Sequence, residues 1–282
     1  MANYFPKLNN LTITDHSRDS AGLRYVYPVV SRRAGGVSIG INLNSNNACN
    51  WRCIYCQVPD LKLGTAPPVD LPLLEKELSG FLRELQHGDF LQRVPPEARR
   101  INDIALSGNG EPTSAQEFAE VVELIARLKP ADLKLVLITN VSLMQRENVQ
   151  QGLRRMAQLN GEVWFKLDRA SEAGMAAINN TQITMAKVRQ NFVAAITCCP
   201  NTWLQTCWFA LDGVPPGKQD EDDYLDFLRV LMCEGIKPQG VLLYGLARPS
   251  LQPEAPRLSP LSHAQLEQFA RRIRALGIVV SG

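Results

Sequence analysis

The sequence predicts an α/β protein built on a mainly parallel sheet, a partial (β/α)6 barrel of TIM-like form. Three observations carry this. Apolar stretches of strand length alternate six times with amphipathic stretches of helical period. Each strand is followed by its own helix, the repeat that imposes parallel strands and right-handed crossovers. A closed barrel of this kind needs eight such units, so six leave the barrel open. A doubly wound open sheet is the rival topology with the same element order.

The elements follow in order. Residues 1–36 carry no sustained period and end in Arg32, Arg33, Ala34, Gly35 and Gly36; they are expected as an irregular segment packed on the core, with residues 37–282 as the barrel domain. Residues 37–44 (VSIGINLN) alternate apolar and polar, the period of a strand. Leu74, Leu78, Phe81, Leu82 and Leu85 define a helix over 71–86, with Asp70 as its N-cap. A short strand over 101–107 precedes a helix over 114–128, whose Phe118, Val121, Val122 and Ile125 share one face. A strand over 133–139 leads to a helix over 145–159, and a strand over 163–168 to a helix over 184–197. The fifth strand spans 204–211. Its helix, 224–233, is introduced by Asp220, Glu221, Asp222 and Asp223, favourable charge at a positive helix N-terminus. A strand over 241–246 and a helix over 263–276, capped by Ser262, complete the series.

Composition narrows the function classes. Thirty Lys and Arg face 28 Asp and Glu, a formal net charge of +2, which excludes a polybasic protein whose affinity rests on bulk charge. No apolar run reaches the ~18–20 residues of a membrane span, and the start lacks a basic region followed by an apolar core. The chain is therefore expected in the reducing cytoplasm, where its seven Cys serve as metal ligands or buried thiols and not as disulfides.

Ligands of either topology belong at the carboxyl ends of the strands. Just past the first strand lies Cys49-Asn-Trp-Arg-Cys53-Ile-Tyr-Cys56, three thiols in eight residues. No fourth Cys or His is near in sequence, whereas a structural zinc site is normally closed by four ligands. Three ligands suit an iron–sulfur cluster with one open iron; zinc and three buried thiols are the other readings. Tyr55 offers a flat face to a purine. The second strand ends in Ser107-Gly108-Asn109-Gly110-Glu111-Pro112-Thr113. Its glycines let backbone approach a ligand closely, and Glu111 is placed to accept from an ammonium, with Thr113 or Ser114 capping the next helix. A tight βα turn explains the same residues without a ligand.

The cysteine loop and the Gly/Glu-Pro turn together resemble the radical S-adenosylmethionine (radical SAM) superfamily, over about residues 37–282. The form of the turn, Gln205 on the fifth strand and Tyr244 with Arg248-Pro249 after the sixth are most similar to its wyosine-synthase-related branch. The chain departs from that branch in having no Cys before Cys49 to hold a second cluster. The resemblance implies an enzyme in which Cys49, Cys53 and Cys56 hold a [4Fe–4S] cluster whose open iron binds S-adenosylmethionine. It implies Tyr55, Gly108, Gly110, Glu111, Asn140, Lys166 and Asp168 around that cofactor, and Gln205, Tyr244 and Arg248 toward substrate. Reductive cleavage would give methionine and a 5′-deoxyadenosyl radical that abstracts hydrogen. A flavodoxin- or ferredoxin-like protein is implied as reductant, and RNA as first substrate class, ahead of a peptide or glycyl-radical protein and a small metabolite. A non-catalytic iron–sulfur or zinc module on the same scaffold is the alternative.

Other residues weigh less. Gln205 and Cys207 share a strand face, so Cys207 is a candidate hydrogen donor to a radical, against a packed strand thiol. Cys198, Cys199, Cys207 and Cys233 are weighed as an auxiliary cluster site, but their spacing has no ligand pattern and they read as apolar packing. His16, His87 and His263 form no triad. Arg32–Arg33, Arg99–Arg100, Arg154–Arg155 and Arg271–Arg272–Arg274 read as solvated faces unless several converge.

Overall fold

The computed structural model describes residues 22–31 and 36–282; His16, Arg32 and Arg33 lie outside them. In chain order the elements are β1 (Val26–Ser31), β2 (Gly36–Ile41), β3 (Ala48–Cys49), β4 (Lys62–Leu63), α1 (Leu71–His87), β5 (Ile101–Leu106), α2 (Phe118–Leu128), β6 (Lys134–Thr139), α3 (Glu147–Gln158) and β7 (Glu162–Lys166). Then follow α4 (Glu172–Asn179), α5 (Met185–Cys198), β8 (Thr202–Cys207), β9 (Ala210–Leu211), α6 (Lys218–Cys233), β10 (Val241–Tyr244), β11 (Leu258–Ser259), α7 (His263–Arg274) and β12 (Val280–Ser281).

One sheet of eight strands runs β1-β2-β5-β6-β7-β8-β10-β12. Six of them are the expected parallel strands, in sequence order, and β12 adds a parallel edge beside β10. The sheet ends in two free edges, β1 and β12, so the barrel is partial. Helices cover its outer face. Ile39, Leu106, Leu135, Phe165 and Leu204 are fully buried there with Leu74, Leu78, Phe118 and Phe192, and the Phe165 and Phe192 rings meet edge-on at 5.0 Å. Among the described residues no helix is long and apolar enough to cross a membrane.

Several expectations need correction. The irregular entry segment contains β1, which pairs antiparallel with β2. Its Tyr27 ring lies on Gly40, where a Cβ would stand 2.1 Å from the ring; the Tyr27 hydroxyl is 3.0 Å from Ser107 Oγ. The first barrel strand stops at Ile41, because Asn42 Oδ1 accepts from the Asn44 and Asn109 amides and bends the chain into the cysteine loop. The fifth strand ends at Cys207, and Ala210–Leu211 pairs instead with β11. Helix α4 was not anticipated: it has eight residues, and only Met175, Ile178 and Asn179 are buried. The acidic run lies within α6, which starts at Lys218. Besides charging the helix start, Asp220 accepts from the Gly217 amide at 2.8 Å, and Glu221 and Asp222 pair with Arg272 of α7. Asp70 and Ser262 cap α1 and α7 as expected, whereas neither Thr113 nor Ser114 caps α2.

Gly40→Ala is expected to lower stability by about 1–3 kcal/mol, the cost of forcing a methyl into a filled site, and urea unfolding measures it. An unchanged midpoint would show that the Tyr27 ring is free to move.

Candidate active site at the carboxyl ends of the strands

The cysteine loop is held from three directions. Cys49 belongs to β3, paired parallel with β4. The end of α4 grips the middle of the loop: the Ile54 amide donates to Ile178 O (2.9 Å) and Asn180 Nδ2 to Arg52 O (2.7 Å). Asn180 adopts φ 48°, the left-handed cap for which Asn is suited. From the far end of the chain, Ser250 Oγ donates to Ile54 O (2.8 Å), the Leu251 amide to Cys56 O (2.9 Å) and Gln252 Nε2 to Val58 O (3.0 Å). Arg52 and Glu254 form a bidentate pair at 2.7 and 2.8 Å.

Cys49, Cys53 and Cys56 are all free thiols and partly buried. Burial pushes Cys49 up to about 12, opposed mainly by a backbone hydrogen bond at Trp51. Burial likewise pushes Cys53 up to about 11, opposed by the positive charge of Lys166. Thiolates here need a cation beside them, which a metal centre supplies. Two amides face the sulfurs: Asn179 Nδ2 donates to Cys53 Sγ at 3.2 Å, and Asn140 Nδ2 lies 3.8 Å from Cys49 Sγ. Among the described residues no three His, Cys, Asp or Glu side chains gather closely enough to hold one metal ion. Three soft donors on one loop, with N–H groups toward two of the sulfurs, fit a cysteine-ligated cluster better than a closed zinc site.

The glycine turn packs against this loop. Gly108 takes φ +146°, and a Cβ there would stand 2.4 Å from Asn42 Oδ1. At Gly110 a Cβ would meet Ala48 O at 2.0 Å, so only glycine lets the turn reach the start of the loop. Glu111 does not present its carboxylate at the edge. It is 1% exposed; Oε1 accepts from the Thr113 amide (3.0 Å), Thr113 Oγ1 (2.6 Å) and Thr139 Oγ1 (2.7 Å), and Oε2 from the Asn140 amide (2.5 Å). Burial raises its pKa and these bonds oppose the rise. Any ammonium at this edge would therefore meet backbone groups of the turn. Glu111→Gln turns an NH2 group toward donors and should lower stability by about 1–3 kcal/mol. Thermal unfolding checks this; unchanged stability would contradict the buried anchor.

At the end of β6, Asn140 closes a ring with Asn50 and Ser142: Asn140 Nδ2 donates to Asn50 Oδ1, Asn50 Nδ2 to Ser142 Oγ, and Ser142 Oγ to Asn140 Oδ1, each at 2.7 Å. Val141 between them is fully buried at φ 67°, a strained conformation for a β-branched residue.

The centre of the site is Asp168, just beyond β7 and 1% exposed. Its Oδ2 accepts from Tyr55 OH (2.5 Å) and Asn179 Nδ2 (2.7 Å), and its Oδ1 from the Cys207 amide (2.9 Å). Lys166 Nζ stands 3.5 Å from Oδ1, 3.3 Å from Tyr244 OH and 4.9 Å over the Tyr55 ring. Burial works against the Lys166 ammonium, but Asp168 chiefly, with Tyr244, outweighs it and its pKa is raised. Tyr55 is thus part of the wall, edge-on to Phe209 at 5.4 Å, with Lys166 over one face of its ring.

Register pairs Lys166 with Gln205 and Cys207 with Tyr244, which gathers four of the expected residues. Gln205 is 4% exposed and its Oε1 has no hydrogen-bond partner. Cys207 packs with Ile54, Ile178 and Phe209, the surroundings of a packed thiol. Arg248 Nη1 donates to Gln57 Oε1 at 3.3 Å, beside the loop. Cys198 and Cys199 are buried, Cys233 is exposed, and His87 and His263 sit at the ends of α1 and α7. The sequence reading missed Asn179, Ser250, Gln252 and the Arg52–Glu254 pair. Only the Asn179-Asn180 doublet, a helix-ending signal, hinted at them.

No family model matches the chain. It is 32% identical over 130 residues, 45% of its length, to a UPF0026 protein of Helicobacter pylori, covering 38% of that relative. It is 32% identical over 145 residues, 51% of its length, to a UPF0026 protein of Synechocystis sp., covering 48% of it. The chain thus spans less than half the length of these relatives. Among solved structures it is similar to TYW1 with a lysine–pyruvate adduct bound, with TM-score 0.58 and 13% identity over 84% of this chain and 73% of that one. It is similar to Streptococcus suis SuiB bound to S-adenosylmethionine, with TM-score 0.57 and 11% identity over 88% and 50%. Native anSMEcpe with bound AdoMet gives TM-score 0.53 and 15% identity over 86% and 63%. At such identities the likeness is one of fold, the partial barrel of radical SAM enzymes.

Proposed function

We propose that this chain is a radical SAM enzyme in which Cys49, Cys53 and Cys56 hold a [4Fe–4S] cluster and S-adenosylmethionine binds beside it. The observation that carries the reading is the three-thiol loop, clamped at the carboxyl end of a partial barrel shared with structures that bind this cofactor. When bound, the pair would supply reductive cleavage of a sulfonium and hydrogen abstraction from a substrate.

The protein's own groups bind, orient and exclude water. Backbone of the turn from Ser107 to Gly110 would hold the cofactor's amine. Lys166, held protonated by Asp168, supplies a positive charge to a carboxylate. Asn140, at the end of β6, would line the ribose subsite, and Asp168, whose oxygens are taken by protein donors, would hold Lys166 and Tyr55 in place around it. Gln205 Oε1, buried without a partner, would accept from an N–H of the substrate, and Tyr244 and Arg248 are the other proposed substrate contacts. A lysine–carbonyl adduct of the kind in the TYW1 structure needs a neutral amine, and the ammonium of Lys166 beside Asp168 argues against that role for it.

RNA is the first substrate class, taken from the resemblance; a peptide or glycyl-radical protein is the second. Three of the helix-face arginines are matched by carboxylates: Arg155 with Glu123, Arg154 with Glu147, Arg274 with Glu267. RNA would therefore be held by the strand ends and not by a basic face, and its affinity would fall only shallowly with salt. The cytoplasm is the proposed location and a flavodoxin- or ferredoxin-like protein the proposed reductant.

The test is anaerobic reconstitution with iron and sulfide, reduction, and addition of S-adenosylmethionine under electron paramagnetic resonance. The enzyme reading expects a reduced-cluster signal that changes when the cofactor is added. A cluster that ignores it favours a sensing module, and colourless protein with bound zinc favours a zinc module.

A further inference from the structure

Asn179 joins two parts of the site, because its one amide nitrogen reaches both the Asp168 carboxylate and the Cys53 sulfur. It is the last residue of α4 and fully buried. Nδ2 donates to Asp168 Oδ2 at 2.7 Å and to Cys53 Sγ at 3.2 Å. Its neighbours fix the backbone: Ile178 O takes the Ile54 amide, and Asn180 Nδ2 reaches Arg52 O. With one N–H committed to Asp168, amide planarity directs the other toward the sulfur. Asn140 makes no comparable bond, since its Nδ2 is 3.8 Å from Cys49 Sγ and 2.7 Å from Asn50 Oδ1.

We propose that Asn179 is a positioning residue that sets the reduction potential of the cluster through its Nδ2–H bond to Cys53 Sγ, with Asp168 aiming the amide. The inference rests on the cluster reading above. A hydrogen bond to a cluster sulfur withdraws electron density and favours the reduced, more negative state, which raises the potential. The bond also ties the sulfur to Asp168, and through it to Lys166 and Tyr55 in the cofactor's wall.

The experiment is a mediated redox titration of the reconstituted protein, read by electron paramagnetic resonance, with iron and sulfide content measured alongside. Asn179→Ala should lower the reduced-to-oxidised ratio at a fixed potential about tenfold, a shift of about 59 mV to more negative values for one electron. Asn180→Gly keeps the left-handed cap, removes the neighbouring amide's bond to Arg52 O and leaves the sulfur bond, so its potential should stay near that of the wild type. A second measurement needs no variant: the Fe–S(Cys) resonance Raman bands of the wild type should shift in D2O. A potential unchanged in Asn179→Ala with full cluster content, or Raman bands insensitive to deuterium, overturns the inference and leaves the cofactor reading standing. A wild type that assembles no cluster overturns both.

Discussion

Replacing any one of Cys49, Cys53 or Cys56 with Ala is expected to reduce bound iron and sulfide after reconstitution to background, while the polypeptide still folds. The clamps on the loop do not pass through the thiols: Ile178, Asn180, Ser250 and Gln252 reach main-chain atoms, and Arg52 pairs with Glu254. The apo variants should therefore still fold, with Cys53→Ala the least stable of the three because it also removes the acceptor of the Asn179 amide. Cys207→Ala is the contrasting case. Its thiol packs among Ile54, Ile178 and Phe209, so it should lose some stability and keep the full complement of iron. Iron retained by Cys53→Ala, or lost from Cys207→Ala, would reassign the ligands.

Asp168→Ala is expected to destabilise the fold by about 3–5 kcal/mol, the cost of breaking a buried ion pair and stranding its partner. It strips Lys166 of its counter-ion and leaves Tyr55 OH, Asn179 Nδ2 and the Cys207 amide facing an empty position. The pH dependence identifies the cause. In the wild type the Lys166 pKa is raised above its unfolded value, so its stabilisation is complete below about 10.4 and lost only as pH climbs through the folded value. In the variant the burial of the ammonium goes unopposed by Asp168 and lowers that pKa. The gap between the two proteins should be widest near neutrality and narrow as pH approaches 10. A gap independent of pH would locate the loss in the hydrogen bonds and not in the charge pair.

How far the molecule could be read in advance divides along sequence distance. The six parallel strands were legible because each is a short apolar run followed by a helix with its own buried stripe, such as Leu74, Leu78 and Phe81. Asp70 and Ser262 act within three residues of themselves and were legible too. Parity along β7 and β8 placed Lys166 with Asp168 and Gln205 with Cys207. Register between strands was needed to join those pairs, and periodicity says nothing of register. Asn179 and Cys53 are 126 residues apart and Arg52 and Glu254 are 202 apart, with no local pattern to couple them. Glu111 shows the opposite failure: its position was right, but four donors drawn from two strand ends turned it inward.

The central claim is that the loop and the strand ends together carry reductive cleavage of S-adenosylmethionine. It is tested most directly by incubating the reconstituted, reduced protein with S-adenosylmethionine under anaerobic conditions and quantifying 5′-deoxyadenosine, beside Cys53→Ala treated identically. The account predicts product from the wild type and none from the variant. A wild type with a full cluster and no 5′-deoxyadenosine under strong reduction would contradict it.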